Sequence, residues 1–231
     1  MRLNALLAFA ATFIVQATCH ATVIYDNLVT PIGNYLGGFT YVEAADDVTL
    51  GPGPRVFQRL TVAYAGFNFD GDETLTATLY AMDGAPTPGS FGFNTPGTVL
   101  FSSTVPILAS DGTTVAFVDP APSILLPDYL AIGLAFGGVD FDPTGGGSDA
   151  GPLLFHPPAV GSSFDDYWLR GFPTAADDWA LFTFGGTPPI NFGARIETVD
   201  GRIPEPGSLA LVLLGLGGAA WRRVRTLTGP R

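Results

Sequence analysis

The chain has no lysine; all ten of its basic residues are arginines, set against 21 Asp and Glu. Arg2 lies at the N-terminus, and Arg222, Arg223, Arg225 and Arg231 lie at the C-terminus. Only Arg55, Arg59, Arg170, Arg195 and Arg202 fall between residues 22 and 203, where 20 carboxylates bring the formal charge to −15. A body of that sign repels phosphates, which argues against nucleic acid as a partner. It suits solubility or cation binding instead. Cysteine is nearly absent too. Cys19 is the single one, close to the N-terminus, so the body has no disulfide framework. Of the two histidines, only His156 lies in the body. A zinc site would then have to be built mostly from carboxylates, an unusual set. Helical periodicity is missing as well: no ten-residue stretch of the body carries it.

What the chain has is apolar residues at 47%, with 30 Gly, 20 Pro and 18 Phe. That much aromatic surface drives collapse and excludes disorder. The 231 residues fit one domain plus extra segments. Short strands between Gly/Pro turns suit this composition.

The body supplies such strands. In "TLTATLY" (74–80), Leu75, Ala77 and Leu79 share one face and Thr74, Thr76, Thr78 and Tyr80 the other. "TVIYDNL" (22–28), "RLTVAYAGF" (59–67), "TTVAFV" (113–118), "DYLAIGLAF" (128–136), "DWALFTF" (178–184) and "NFGARIETV" (191–199) read the same way. "DGDE" (70–73), "MDGAPTPGS" (82–90) and "SDG" (110–112) read as turns, and "PTGGGSDAGP" (143–152) as a long flexible loop. The expectation is an all-β, antiparallel, jelly-roll-like β-sandwich over residues 22–202. No fixed-period repeat points to a propeller or solenoid.

Candidate chemistry is sparse. A hydrolase would have to use His156, but the nearest thing to a nucleophile elbow, "GGSDA" (146–150), sits in a glycine loop. His156 precedes Pro157 and Pro158 and reads as the cap of a strand. No catalytic residue is assigned. Alternate carboxylates in "NFDGDE" (Asp70, Asp72, beside Glu73) and "VDFDPTGGGSD" (Asp140, Asp142, with Asp149 further on) could aim oxygens at Ca²⁺. Asp also favours turns for local reasons. The adjacent pairs Asp46-Asp47, Asp165-Asp166 and Asp177-Asp178 point to opposite faces of an extended strand, so they make poor acid/base pairs. Tyr167, Trp168 and Trp179 stand beside carboxylates and could stack on a sugar, or pack in the core.

Both ends read as addresses. Met1 and Arg2 open a positive region, Leu3 to Val15 is apolar apart from Asn4 and Thr12, and small residues follow. This is a secretory signal peptide with its helix, residues 1–21, cut after Ala21 by signal peptidase. The competing lipoprotein reading, with Cys19 lipidated, meets Gln16 where a larger aliphatic residue is wanted. At the other end, residues 203–225 read "IPEPGSLALVLLGLGGAAWRRVR". Leu209 to Trp221 is an uncharged apolar span of 13 residues, shorter than the ~20 of an ordinary membrane helix. Gly215, Gly217 and Gly218 weaken it as a helix but allow close packing in lipid. Arg222, Arg223 and Arg225 would hold its end in the cytoplasm.

Pro204, Glu205 and Pro206, the short apolar span and the terminal arginine cluster resemble the PEP-CTERM sorting signal of exported proteins in Gram-negative bacteria, many of them exopolysaccharide makers. The six residues 226–231 run past the usual cluster as a short tail. The resemblance implies recognition by an exosortase, a membrane-embedded transpeptidase-like enzyme that cuts near Pro204–Pro206 and itself supplies the catalytic residues. It implies a transient inner-membrane tether through a short C-terminal transmembrane helix, then the cell surface or extracellular matrix. The body, with "VIYDNL" (23–28) and "EAADDVTL" (43–50), is similar to secreted β-sandwich domains found ahead of this signal, a likeness that implies no established activity. The leading expectation is a non-enzymatic structural or adhesive protein that needs no cofactor. The alternative is a carbohydrate-binding module, calcium-assisted, with exopolysaccharide as its partner.

Overall fold

The computed structural model describes residues 21–86, 94–119, 123–142, 144, 146–172 and 178–200. The signal segment, the sorting segment and the helix expected in each lie outside the described residues. One compact unit runs from Ala21 to Gly201. Among the described residues there is no helix, and so none long and apolar enough to cross a membrane.

The strands in chain order are β1 (Thr22–Asp26), β2 (Pro31–Tyr35), β3 (Glu43–Thr49), β4 (Val56–Phe67), β5 (Thr74–Ala81), β6 (Val99–Pro106) and β7 (Ser110–Val118). Then come β8 (Tyr129–Gly137), β9 (Asp149–Phe155), β10 (Ser162–Ser163), β11 (Asp166–Arg170), β12 (Trp179–Thr183), β13 (Asn191–Phe192) and β14 (Ala194–Val199). They form two antiparallel sheets. One runs β1-β14-β4-β9-β13, with β2 added on β9 and β7 on β4; the other runs β12-β11-β3-β8-β5-β6, with β10 added on β3.

The sheets face each other as a sandwich. Phe57 on β4 meets Phe101 on β6 at 4.7 Å between ring centres, and Tyr64 on β4 meets Phe136 on β8 at 6.3 Å. Period-2 alternation fills the space between them. Leu60, Val62 and Tyr64 come from one sheet; Leu75, Ala77, Leu79, Leu130, Ile132 and Leu134 come from the other. On the outward face of β5, Thr76 and Thr104 join their hydroxyls at 2.8 Å across to β6, the kind of cross-strand pair that suits a wet face.

Several local expectations change. "NFGARIETV" is two strands, broken at Gly193, where a Cβ would strike the Phe155 ring. "SDG" lies inside β7, not in a turn, and the last residues of "PTGGGSDAGP" begin β9. Gly71 in "DGDE" does adopt a positive φ, 110°, as its turn requires.

Candidate functional site

The densest polar chemistry lies on the outer face of the sheet that contains β3. Alternation along β3 sends Ala44, Asp46 and Val48 into the sandwich and Glu43, Ala45 and Asp47 outward. The β11 register sets Trp168 opposite Ala45 and Arg170 opposite Glu43. Two residues earlier in the same register, Asp166 comes level with Asp47. Around β3, β8 and β11 the outer face is covered rather than wet. Ala45, Tyr80, Ala131 and Trp168 form a second small apolar cluster there, with Met82, Trp179 and Leu181 packed against it.

At one end of this row stands Glu43, buried at 2% exposure. It accepts hydrogen bonds from the Tyr80 hydroxyl, 3.0 Å from each carboxylate oxygen, and from Arg170 Nη2 at 2.7 Å. The Arg170 guanidinium lies 5.4 Å from the centre of the Trp179 ring, within cation–π range. Burial raises the Glu43 carboxyl above its usual range, and the charge of Arg170 partly restores it. Burial and the Glu43 charge together push the Tyr80 phenol up to about 12.

At the other end Asp47 and Asp166 face each other. The Tyr129 hydroxyl on β8 donates a short hydrogen bond to Asp47 Oδ2. Trp168 turns its buried indole N–H toward Asp47, close enough to help hold its charge yet short of a full hydrogen bond. Oδ1 of Asp47 and Oδ1 of Asp166 are both buried without a donor. Burial raises both carboxyls; for Asp166, burial first and the charge of Asp47 next bring it to about 7.

Asp46 works on the inner side. It accepts the Phe192 N–H at 2.6 Å and the Ser163 hydroxyl at 2.9 Å, tying β3 to β13 of the opposite sheet and to β10. Burial and then the neighbouring Asp47 charge raise its carboxyl well above the usual range. This face therefore joins two buried carboxyls that burial raises, Asp47 and Asp166, to a carboxylate–arginine pair, Glu43 with Arg170.

Residues 202–225 match the PEP-CTERM protein-sorting motif. The chain carries a PEP-CTERM sorting signal. It marks an exported protein directed to an exosortase, passing through the membrane on the way toward the cell surface. No curated protein and no solved structure matches the chain. The residues expected to carry the PEP-CTERM signal, Pro204, Glu205, Pro206, Arg222, Arg223 and Arg225, lie outside the described residues.

Ahead of the PEP-CTERM signal, the body residues singled out from sequence land in different places. Trp168 is 0% exposed and presents no ring face to a glycan, so it leaves the sugar-stacking set. Tyr167 turns inward, its ring 4.3 Å from that of Phe184 and 6.4 Å from that of Phe192. Trp179 is half-buried between Tyr80 and Arg170. Asp70 and Asp72 are grouped with Glu73, ligand oxygens within 4.8 Å of one another, rather than with Asp140 and Asp142. Glu73 commits both its oxygens to the N–H groups of Asp70 and Gly71, at 2.8 and 2.9 Å. Burial acts to raise the Glu73 carboxyl, but these backbone bonds outweigh it and leave it lowered. Asp140 is taken up by the N–H and hydroxyl of Ser148, and Asp142 by those of Thr144. His156 directly follows β9, its N–H donating to Thr30 O at 3.0 Å. Its Nδ1 is buried with no hydrogen-bond partner among the described residues.

Sequence reasoning found Asp46, Asp47 and Asp166 only as neighbours in the chain. The signal that could have found their cluster was an acidic run inside an otherwise strand-like segment, "EAADDVT", where exposed turn chemistry would be expected to bring glycine or proline.

Proposed function

We propose that the 21–201 sandwich is the cargo of its own C-terminal address: a non-enzymatic structural or adhesive component of the cell surface or extracellular matrix. The PEP-CTERM motif at residues 202–225 carries this reading. As proposed, the domain works without a cofactor and meets exopolysaccharide as its neighbour. Support comes from how the polar groups of the body are spent. Glu43, Asp46 and Asp47 each accept hydrogen bonds from other strands, which braces the sandwich rather than offering a reactive group to solvent. The arginines behave alike: Arg55 pairs with Asp128, Arg170 with Glu43 and Arg195 with Asp26, each at 2.7 Å.

The test is replacement of Pro204, Glu205 and Pro206 by Ala in a host with an exosortase. Expected is an unprocessed precursor that stays with the inner membrane. Processing and a final location identical to wild type would overturn the reading.

A further inference from the structure

We propose that Asp47 and Asp166 hold one proton between them, and that its loss loosens the β11–β12 hairpin from β3, which makes this edge of the sandwich pH-responsive. The argument starts from burial. Asp47 is 0% exposed and Asp166 6% exposed, on neighbouring strands and on the same face. Each keeps an Oδ1 buried without a donor, while the other oxygen of Asp47 takes the Tyr129 hydroxyl. Two ionised carboxylates could not share such a place, because the repulsion and the lost hydration would outweigh what the Tyr129 hydroxyl and the Trp168 N–H return to Asp47. One proton between them supplies the missing donor.

Among the described residues, the groups near the pair relieve Asp47 in part, through the Tyr129 hydroxyl and the nearby Trp168 indole N–H, and leave the Oδ1 atoms of both carboxyls without a donor. From β3 come Glu43 and Asp46; from β8, Tyr129; from β11, Trp168 and Arg170; from β10, Ser163; from the residue ahead of β11, Asp165; and from β1, the buried Tyr25 phenol, which the Asp47 charge helps to keep protonated. On β12 the residue opposite Asp166 is Thr183. Arg170, the one cation of this set, lies two register positions beyond Trp168 and pairs with Glu43 at 2.7 Å. Asp165 is engaged by the N–H groups of Gly186 and Ile190, both at 2.8 Å.

The hairpin is placed to respond. Its register with β3 spans only Trp168 to Arg170, and β12 pairs with β11 alone among the described strands. The Asp166 carboxyl, lifted to about 7 chiefly by burial and then by Asp47, sets the window. The native pair keeps a proton that a solvated Asp releases near its ordinary value of about 3.9, so the hold weakens as pH rises from there toward 7 and changes no further above it.

The experiment is hydrogen exchange on the full chain in mild detergent, from about pH 5 to pH 8.5, corrected for the intrinsic pH dependence of exchange. In wild type, protection of the β11 and β12 amides should fall with pH, approaching about tenfold per unit below pH 7 and levelling above it, and should stay below that of β4 and β14, which open only with the whole domain. In Asp166→Asn, whose amide supplies the missing donor permanently, most of that slope should vanish. Asp47→Asn serves as the second variant should the first fail to fold. Wild-type protection of β11 and β12 that is independent of pH overturns the proposal without any variant, as does an unchanged slope in either substitution.

Discussion

Tyr80 and Glu43 meet over the bare backbone of Gly133, the hydroxyl 3.0 Å from both carboxylate oxygens. A Cβ on Gly133 would overlap Glu43 Oε1 and stand 2.8 Å from the Tyr80 ring. Gly133→Ala must therefore displace the buried carboxylate from its donors. Expected is a loss of about 1–3 kcal/mol in denaturant unfolding, in the range of overpacked cores. Combined with Glu43→Gln, the loss should be smaller than the sum of the two, because both act on the same contact.

Removing Arg170 should cost more than its partial exposure suggests. Its side chain is 29% exposed, that of Glu43 only 3%, so Arg170→Ala strands the more buried member of the pair. A loss of about 2–3 kcal/mol is expected at neutral pH, below the ~3–5 of a fully buried pair. Without the arginine, the Glu43 carboxyl rises further. The sign follows: a raised native value means that stability drains away as pH rises above the ordinary carboxylate range, so the variant should lie closest to wild type in mild acid. Unfolding curves at about pH 4.5 and pH 8 read this directly.

The fold class was legible because β4, β5, β8 and β14 each show as strand-like runs between Gly/Pro turns, although only β14 alternates over most of its length and β8 is buried on both faces from Leu130 to Leu134. β3 was not legible as a strand. Its Glu43, Asp46 and Asp47 belong to residue types depleted in strands, and only the neighbours that bury them explain their presence. The rule that adjacent Asp residues point to opposite faces held for Asp46 and Asp47, one inward and one outward. What the rule could not supply was the strand order that sets β11 beside β3 and so brings Asp166 to Asp47. Contacts between residues 119 positions apart depend on topology, and periodicity carries none of that information. The sorting address is the opposite case: its information is local, so Pro204 to Arg225 was readable without any fold.

The pH of greatest stability should be mildly acidic. Burial raises the Glu43 and Asp46 carboxyls and brings Asp166 to about 7, so their contributions are present in acid and are lost as pH rises toward neutrality. Asp83, Asp140 and Asp142 work the other way. Hydrogen bonds from Thr98, Ser148 and Thr144 lower them, and their contributions are lost as pH falls through the lower carboxylate range. The two slopes oppose each other, so the melting temperature of the full chain should peak in mild acid, below neutrality. A peak at pH 7 or above in calorimetric scans would contradict this account.

The arginines at 222, 223 and 225 are expected to act as a stop, separate from the tripeptide that is read. The apolar span between them has 13 residues, too few to be held firmly by hydrophobicity alone. Basic residues on the cytoplasmic side would then decide whether the chain pauses in the membrane or slips through. Replacing all three by Gln should give a precursor that escapes cutting yet fractionates with soluble exported material. The Pro204, Glu205 and Pro206 substitution should instead leave its precursor in the membrane fraction. Residues 202–225 grafted behind an unrelated exported domain should restore both steps, because the address is expected to work without the sandwich. Immunoblots of membrane and soluble fractions from an exosortase-containing host separate these outcomes. Identical fractionation of the two variants would show that the arginines and the tripeptide are read as one element.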